Sequence, residues 1–150
     1  MLPFFVYGTL RPGEVNHDLF LRGRTRAERP ASMRGMALYD GPGYPYAVEE
    51  TVQETGGGRG GGGAVTGELV TARTEAYAEL LRALDELEEY APGDPANLYE
   101  RVVRPATLDD GTVVRAWVYV AAPAVAAGLR AGGKLIEDGD WRGRRLPPSA

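Results

Sequence analysis

One stretch alone, Glu75 to Glu89, has the apolar spacing of a long helix, and the chain around it is cut into short runs by glycine and proline. A chain with a single strong helix cannot build a helical bundle. Its core must come from strands, and the strands must cover one another's edges. Leu2–Tyr7, Met33–Tyr39, Tyr44–Val48, Ala64–Val70, Tyr99–Leu108 and Thr112–Ala121 read as those strands. The third is held extended and off any central ladder by Pro45. Asp109-Asp110-Gly111 joins the last two as a hairpin. Asn16–Leu21 suggests a short helical turn with Leu19, Phe20 and Leu21 inward, and Ala122–Ala131 a second, shorter helix. The pattern predicts an α+β domain: a small, mostly antiparallel twisted or partly closed barrel with one long helix packed beside it. The 150 residues suffice for one domain spanning the whole chain. Gly56–Gly63 reads as a flexible hairpin tip, and the Pro-rich tail from about residue 143 as frayed.

The first strand ends in Tyr7-Gly8-Thr9-Leu10, and breaks again at Pro12-Gly13. A strand that ends in a tight glycine-containing loop can aim several backbone N–H groups at one point, which suits a carboxylate or a developing oxyanion. The ordinary reading of the same residues is an N-terminal strand followed by a turn.

The helix carries a second anomaly. Thr74 is a plausible N-cap, Glu75 suits the first turn, and Pro92-Gly93-Asp94-Pro95 stops the helix. At about 100° per residue, Tyr77, Leu80, Leu81, Leu84 and Leu87 form one stripe, and Glu88 falls on that stripe. A carboxylate pressed against apolar surface loses hydration, which raises its pKa towards neutrality and suits it to general acid-base work. Three other readings stay open: Glu88 turns out to water as the helix frays, it pairs with an arginine such as Arg101, or Asp85 on the stripe's border is the active carboxylate or a supporting partner. Tyr99, opening the next strand, offers a hydroxyl to the same region, although a lone tyrosine is more often core packing.

Composition narrows the chemistry. Without cysteine, and with His17 as the only histidine, thiol catalysis, zinc-thiolate sites and histidine-rich metal sites are not expected, so a carboxylate must carry any acid-base step. A net charge of −4 argues against a nucleic-acid partner, and the cluster of Arg22, Arg24, Arg26 and Arg29 reads as a solvated face. No apolar run reaches the length of a membrane span, and Met1-Leu2-Pro3 lacks the charged start of a signal peptide, so the expectation is a cytoplasmic protein without a membrane partner. The sequence is silent on oligomeric state.

Val6-Tyr7-Gly8-Thr9-Leu10-Arg11 with Gly13 and Asn16-His17, then Gly43-Tyr44-Pro45, Leu84-Asp85-x-Leu87-Glu88, Tyr99-x-Arg101 and Gly139-Asp140-Trp141 together resemble the γ-glutamylcyclotransferase-like superfamily, which includes γ-glutamylamine cyclotransferases and AIG2-like proteins. The resemblance implies a small mixed β-barrel with flanking helices and a cavity lined by the Tyr7-Gly8-Thr9-Leu10 loop, which would hold a γ-glutamyl group through its backbone. It implies that Glu88 is the acid-base catalyst of a reaction that closes the γ-glutamyl group to 5-oxoproline and needs no cofactor. A small-molecule binding module on the same fold, without turnover, is the alternative. Three features depart from the family pattern: Leu87 stands where many members have an aromatic residue, Glu89 where many have glycine, and the Gly56–Gly63 insert is unusual.

Overall fold

The apolar run at the N-terminus becomes β1 (Phe4–Val6), and it is buried on both faces, which explains why it does not alternate. Phe5 points into a barrel, while Phe4 and Val6 face the layer outside it. The computed structural model describes residues 1–41, 44–50 and 63–141; most of the glycine-rich stretch and the Pro-rich tail lie outside them.

Five strands close the barrel in the order β1, β5 (Ala64–Ala72), β2 (Thr25–Arg34), β6 (Tyr99–Leu108) and β7 (Val113–Ala121). Every pairing is antiparallel except the closing one, where β1 runs parallel to β7 with Phe4 opposite Trp117. Closure leaves none of these five strands with a free edge. A second sheet, ordered β4 (Pro45–Glu49), β3 (Met36–Asp40), β8 (Leu135–Ile136), lies beside it. Pro45 sits on the outer strand of that sheet, as expected of a residue that cannot donate to a ladder.

The single strand expected at Met33–Tyr39 is two. Gly35 adopts φ +78, a left-handed conformation that interrupts the ladder, so Met33 belongs to β2 in the barrel and Met36 opens β3 in the small sheet. β2 also reaches back to take in Arg26 and Arg29 of the arginine cluster. Its charged side chains are the outward half of a strand, and Arg29 pairs with Asp109 and Asp110 across the surface at 3.1 and 3.5 Å.

The helix is shorter than its sequence pattern. A 3-10 turn, Thr74–Ala76, leads into α1 (Tyr77–Leu87), and Glu88 is its C-terminal cap. Thr74 makes no capping hydrogen bond; Ala76 occupies the N-cap position of α1, and the entry is closed instead by the Ala76 N–H donating to the Arg73 carbonyl. Leu80 and Leu84 are completely buried among Phe4, Val6 and Val70. β7 serves both layers by simple alternation: Ala116, Val118 and Val120 fill the barrel, while Trp117, Tyr119 and Ala121 face the helix layer. The turn at His17–Leu21 is a π-type turn that buries Leu21 but leaves Leu19 67% exposed, because five residues cannot turn three consecutive side chains inward. The shorter helix α2 (Pro123–Gly132) forms where expected, with Pro123 in its first turn. Among the described residues no helix is long and apolar enough to cross a membrane.

Candidate active site

Where β1 ends, the chain turns through Gly8-Thr9-Leu10 and is tied back on itself. The Gly8 carbonyl accepts from Arg11 N–H at 3.0 Å, and the Thr9 carbonyl from Asn16 N–H at 3.1 Å. The Asn16 amide also donates to Thr9 Oγ1 at 2.8 Å. The Gly8 and Thr9 carbonyls are thus engaged internally, while the N–H groups of Gly8, Thr9 and Leu10 donate to no carbonyl among the described residues. Position 8 admits only glycine, since a Cβ there would come within 2.8 Å of the Pro45 ring. Gly8 therefore lets β4 close against the loop.

Arg11 anchors the loop from behind. Buried to 5% exposure, it donates from Nε and Nη2 to the two carboxylate oxygens of Glu68 at 2.8 and 3.1 Å, and from Nη1 to Asp140 at 2.8 Å.

The loop forms one wall of a cavity of about 380 Å³. Tyr7, Gly8, Thr9, Leu10, Glu88 and Tyr99 all line it, so the residues singled out from sequence converge on one space. Trp117 and Tyr119 of β7 complete the wall nearest the helix. They were not singled out from sequence, although the alternation of β7 puts both on one face and would have found them.

Glu88 is half-buried, and no hydrogen bond or ion pair to its carboxyl occurs among the described residues. Burial without a compensating partner pushes its pKa up from 4.5 to about 7. Two of the open alternatives are resolved here. Arg101 pairs with Asp85, donating from Nε and Nη2 at 2.8 and 3.2 Å, and so leaves Glu88 unpaired. Asp85 also accepts the Tyr119 hydroxyl at 2.6 Å; it is a committed structural anion and lies outside the cavity lining. Arg101 stacks over the Trp117 ring at 4.2 Å and locks the clamp from above.

The Tyr7 and Tyr99 hydroxyls are engaged by backbone. Tyr7 donates to the Tyr119 carbonyl at 2.5 Å and accepts from the Ala47 N–H at 3.2 Å, while Tyr99 donates to the Pro45 carbonyl at 2.9 Å. Burial first, and the nearby Glu88 carboxylate second, push the Tyr7 pKa far up; burial, with neighbouring Tyr7 and Glu88, does the same for Tyr99. These rings shape the cavity and stay protonated, leaving Glu88 as the titratable group there that changes charge near neutrality. Among the described residues no group of three or more metal-ligating side chains is assembled.

Glu89 follows at φ 54, the one non-glycine residue with positive φ among those described. It occupies the left-handed position of a Schellman motif, with Tyr90 N–H donating to the Asp85 carbonyl at 2.8 Å and Glu89 N–H to the Glu86 carbonyl at 3.1 Å. Glycine is the usual occupant of that position.

Comparison with known proteins finds related sequences and solved structures of the same fold. A butirosin-related protein of Niallia circulans, named γ-L-glutamyl-butirosin B γ-glutamyl cyclotransferase, is 38% identical over 117 residues, which cover 77% of this chain but 64% of that relative. The chain thus spans somewhat less than two thirds of that protein's length. A relative from Halalkalibacterium halodurans is 40% identical over 105 residues, covering 69% of this chain and 76% of its own. The crystal structure of an AIG2-like protein from Mus musculus superposes with a TM-score of 0.59 at 25% identity, covering 83% of this chain and 81% of that one. Residues 4–143 match the family described as γ-glutamyl cyclotransferase, AIG2-like, from the first barrel strand to just beyond Trp141, and the chain belongs to that family.

Proposed function

We propose that the protein is a cytoplasmic, cofactor-independent cyclotransferase that converts a γ-glutamyl amine or γ-glutamyl amino acid to 5-oxoproline and releases the attached amine. The observation that carries this reading is a half-buried, unpaired Glu88 with a pKa near 7, facing the free N–H groups of the Gly8-Thr9-Leu10 loop across one cavity.

In this mechanism the loop N–H groups bind the substrate's α-carboxylate or the oxyanion that develops on its γ-carbonyl. The Glu88 carboxylate takes a proton from the α-ammonium, and the freed amine attacks the γ-carbonyl of the same molecule. The new C–N bond closes a five-membered ring, and the bond from the γ-carbon to the leaving nitrogen breaks. Glu88 passes the proton to that nitrogen, then relays a second from the ring nitrogen. The product amine departs as an ammonium ion, and Glu88 ends as the carboxylate it began as. Nucleophile and electrophile share one molecule, so the protein has mainly to hold the reactive conformation and move protons.

The test is incubation with a panel of γ-glutamyl amines and γ-glutamyl amino acids, scored by release of 5-oxoproline. Wild type is expected to release it from at least one, and Glu88→Gln to be slower by about two to four orders of magnitude. Failure with every member of the panel, or equal rates from the Gln variant, would overturn the reading.

A further inference from the structure

The cavity has an inner and an outer end. Phe5, Val6 and Tyr7 at its floor are buried, whereas Leu98, 45% exposed, and the exposed Glu89 stand at its mouth. With the γ-glutamyl group between the loop and Glu88, as the proposed function requires, the leaving group must lie towards that mouth.

The charge along this path is one-sided. Glu88 and Glu89 line the cavity, and no lysine, arginine or histidine does so among the described residues. Arg101, which lies over the Trp117 ring, is engaged by Asp85. The Glu89 carboxylate makes no hydrogen bond or ion pair among the described residues, so its charge is available to whatever occupies the mouth. A leaving amino acid would bring its own carboxylate into a space that holds two others and no compensating cation. A leaving amine with a further positive charge meets Glu89 and the tyrosine wall formed by Tyr44 and Tyr99. The backbone adds to this: a glutamate held at a left-handed position that glycine fills more easily points to a use for its side chain.

We propose that Glu89 selects the leaving group, favouring an amine that carries at least one further cationic centre and no carboxylate. This rests on the cyclotransferase reading and goes beyond it by assigning a specificity residue and the chemical class of the released amine.

Three substrates that share the γ-glutamyl group test it: its amides with a four-carbon diamine and with n-butylamine, and γ-glutamylalanine. For wild type, kcat/KM should be highest for the diamine amide, by about fivefold over the butylamide, the scale of an exposed charge pair, and lowest for γ-glutamylalanine. Added salt should narrow the first gap. Glu89→Gln should bring the diamine and butylamine amides to near equality, and Glu89→Lys should move γ-glutamylalanine ahead of the diamine amide. Calorimetric binding of the same three compounds to the Glu88→Gln protein reads the ranking without turnover. Equal release of 5-oxoproline from all three, or a preference that survives in Glu89→Gln, overturns the selection by Glu89 and leaves the cyclotransferase reading standing. The ranked binding without 5-oxoproline from wild type does the reverse.

Discussion

Glu88 is a carboxyl whose charge the fold resists, and that resistance is measurable apart from any substrate. Its pKa is about 7 in the folded chain against an ordinary 4.5, because burial removes water and no partner replaces it. Between those two values the folded chain holds a proton that the unfolded chain has released. Stability therefore falls as pH rises through this window, by about 2 kcal/mol once the residue's partial exposure is allowed for. The stabilising contribution is complete below pH 4.5 and gone above about 7. Glu88→Gln has nothing to ionise. Its urea midpoint should decline less than that of wild type across this range, and the variant should be the more stable protein on the alkaline side. Parallel profiles would mean that the carboxyl is better solvated than its surroundings imply. The same value predicts that wild-type kcat/KM rises with pH along a limb centred near 7, since the base must be ionised to act.

At the scale of the element, what matters is how α1 delivers Glu88. The apolar stripe brings the helix to the barrel, and the Asp85 clamp fixes its last turn against β6 and β7 through Arg101 and Tyr119. Asp85→Asn keeps the shape but removes the charge, leaving a mostly buried guanidinium over Trp117 without its counter-ion. The expected loss is about 1–3 kcal/mol of stability, together with a fall in kcat larger than the rise in KM, because the base is displaced while the loop is not. An unchanged kcat would show that the clamp is structural only. The helix wheel made Glu88 legible even though α1 stops at Leu87, because the Glu88 N–H still donates to the Leu84 carbonyl at 3.0 Å and keeps the residue on the helical path. The same wheel could not show that Arg101 would choose Asp85, since that pairing depends on where β6 lies. Hairpin β6–β7 was plain from its alternation and its Asp-Asp-Gly turn, whereas the break at Gly35 lay inside Met33–Tyr39, a run short enough to read as one strand. A left-handed backbone at one glycine leaves no trace in hydrophobic pattern.

Over the whole molecule, the candidate site is a meeting of distant parts: a loop after the first strand, the end of the helix, and the two strands of the last hairpin. Arg11 is the residue that holds the loop's place in that assembly. Its partners lie 57 and 129 residues away, one in β5 and one beside Trp141, whose ring is buried in the barrel core. Nothing in the local sequence distinguishes it from the solvated arginines of β2, because its burial is a product of barrel closure. Arg11→Lys retains the charge but not the fork that serves Glu68 bidentately and Asp140 at once. An ammonium can satisfy at most part of this set, so the mostly buried Glu68 carboxylate loses part of its bidentate contact. Stability should fall by about 1–3 kcal/mol, read from denaturant unfolding. At a temperature where the variant is still folded, KM for a turned-over γ-glutamyl substrate should rise while the ascending limb near pH 7 stays in place, since the loop loosens but Glu88 keeps its surroundings. A variant with wild-type stability and KM would show that the loop is held by its own turn, Gly8 to Arg11 and Thr9 to Asn16, and not by the tether across the barrel.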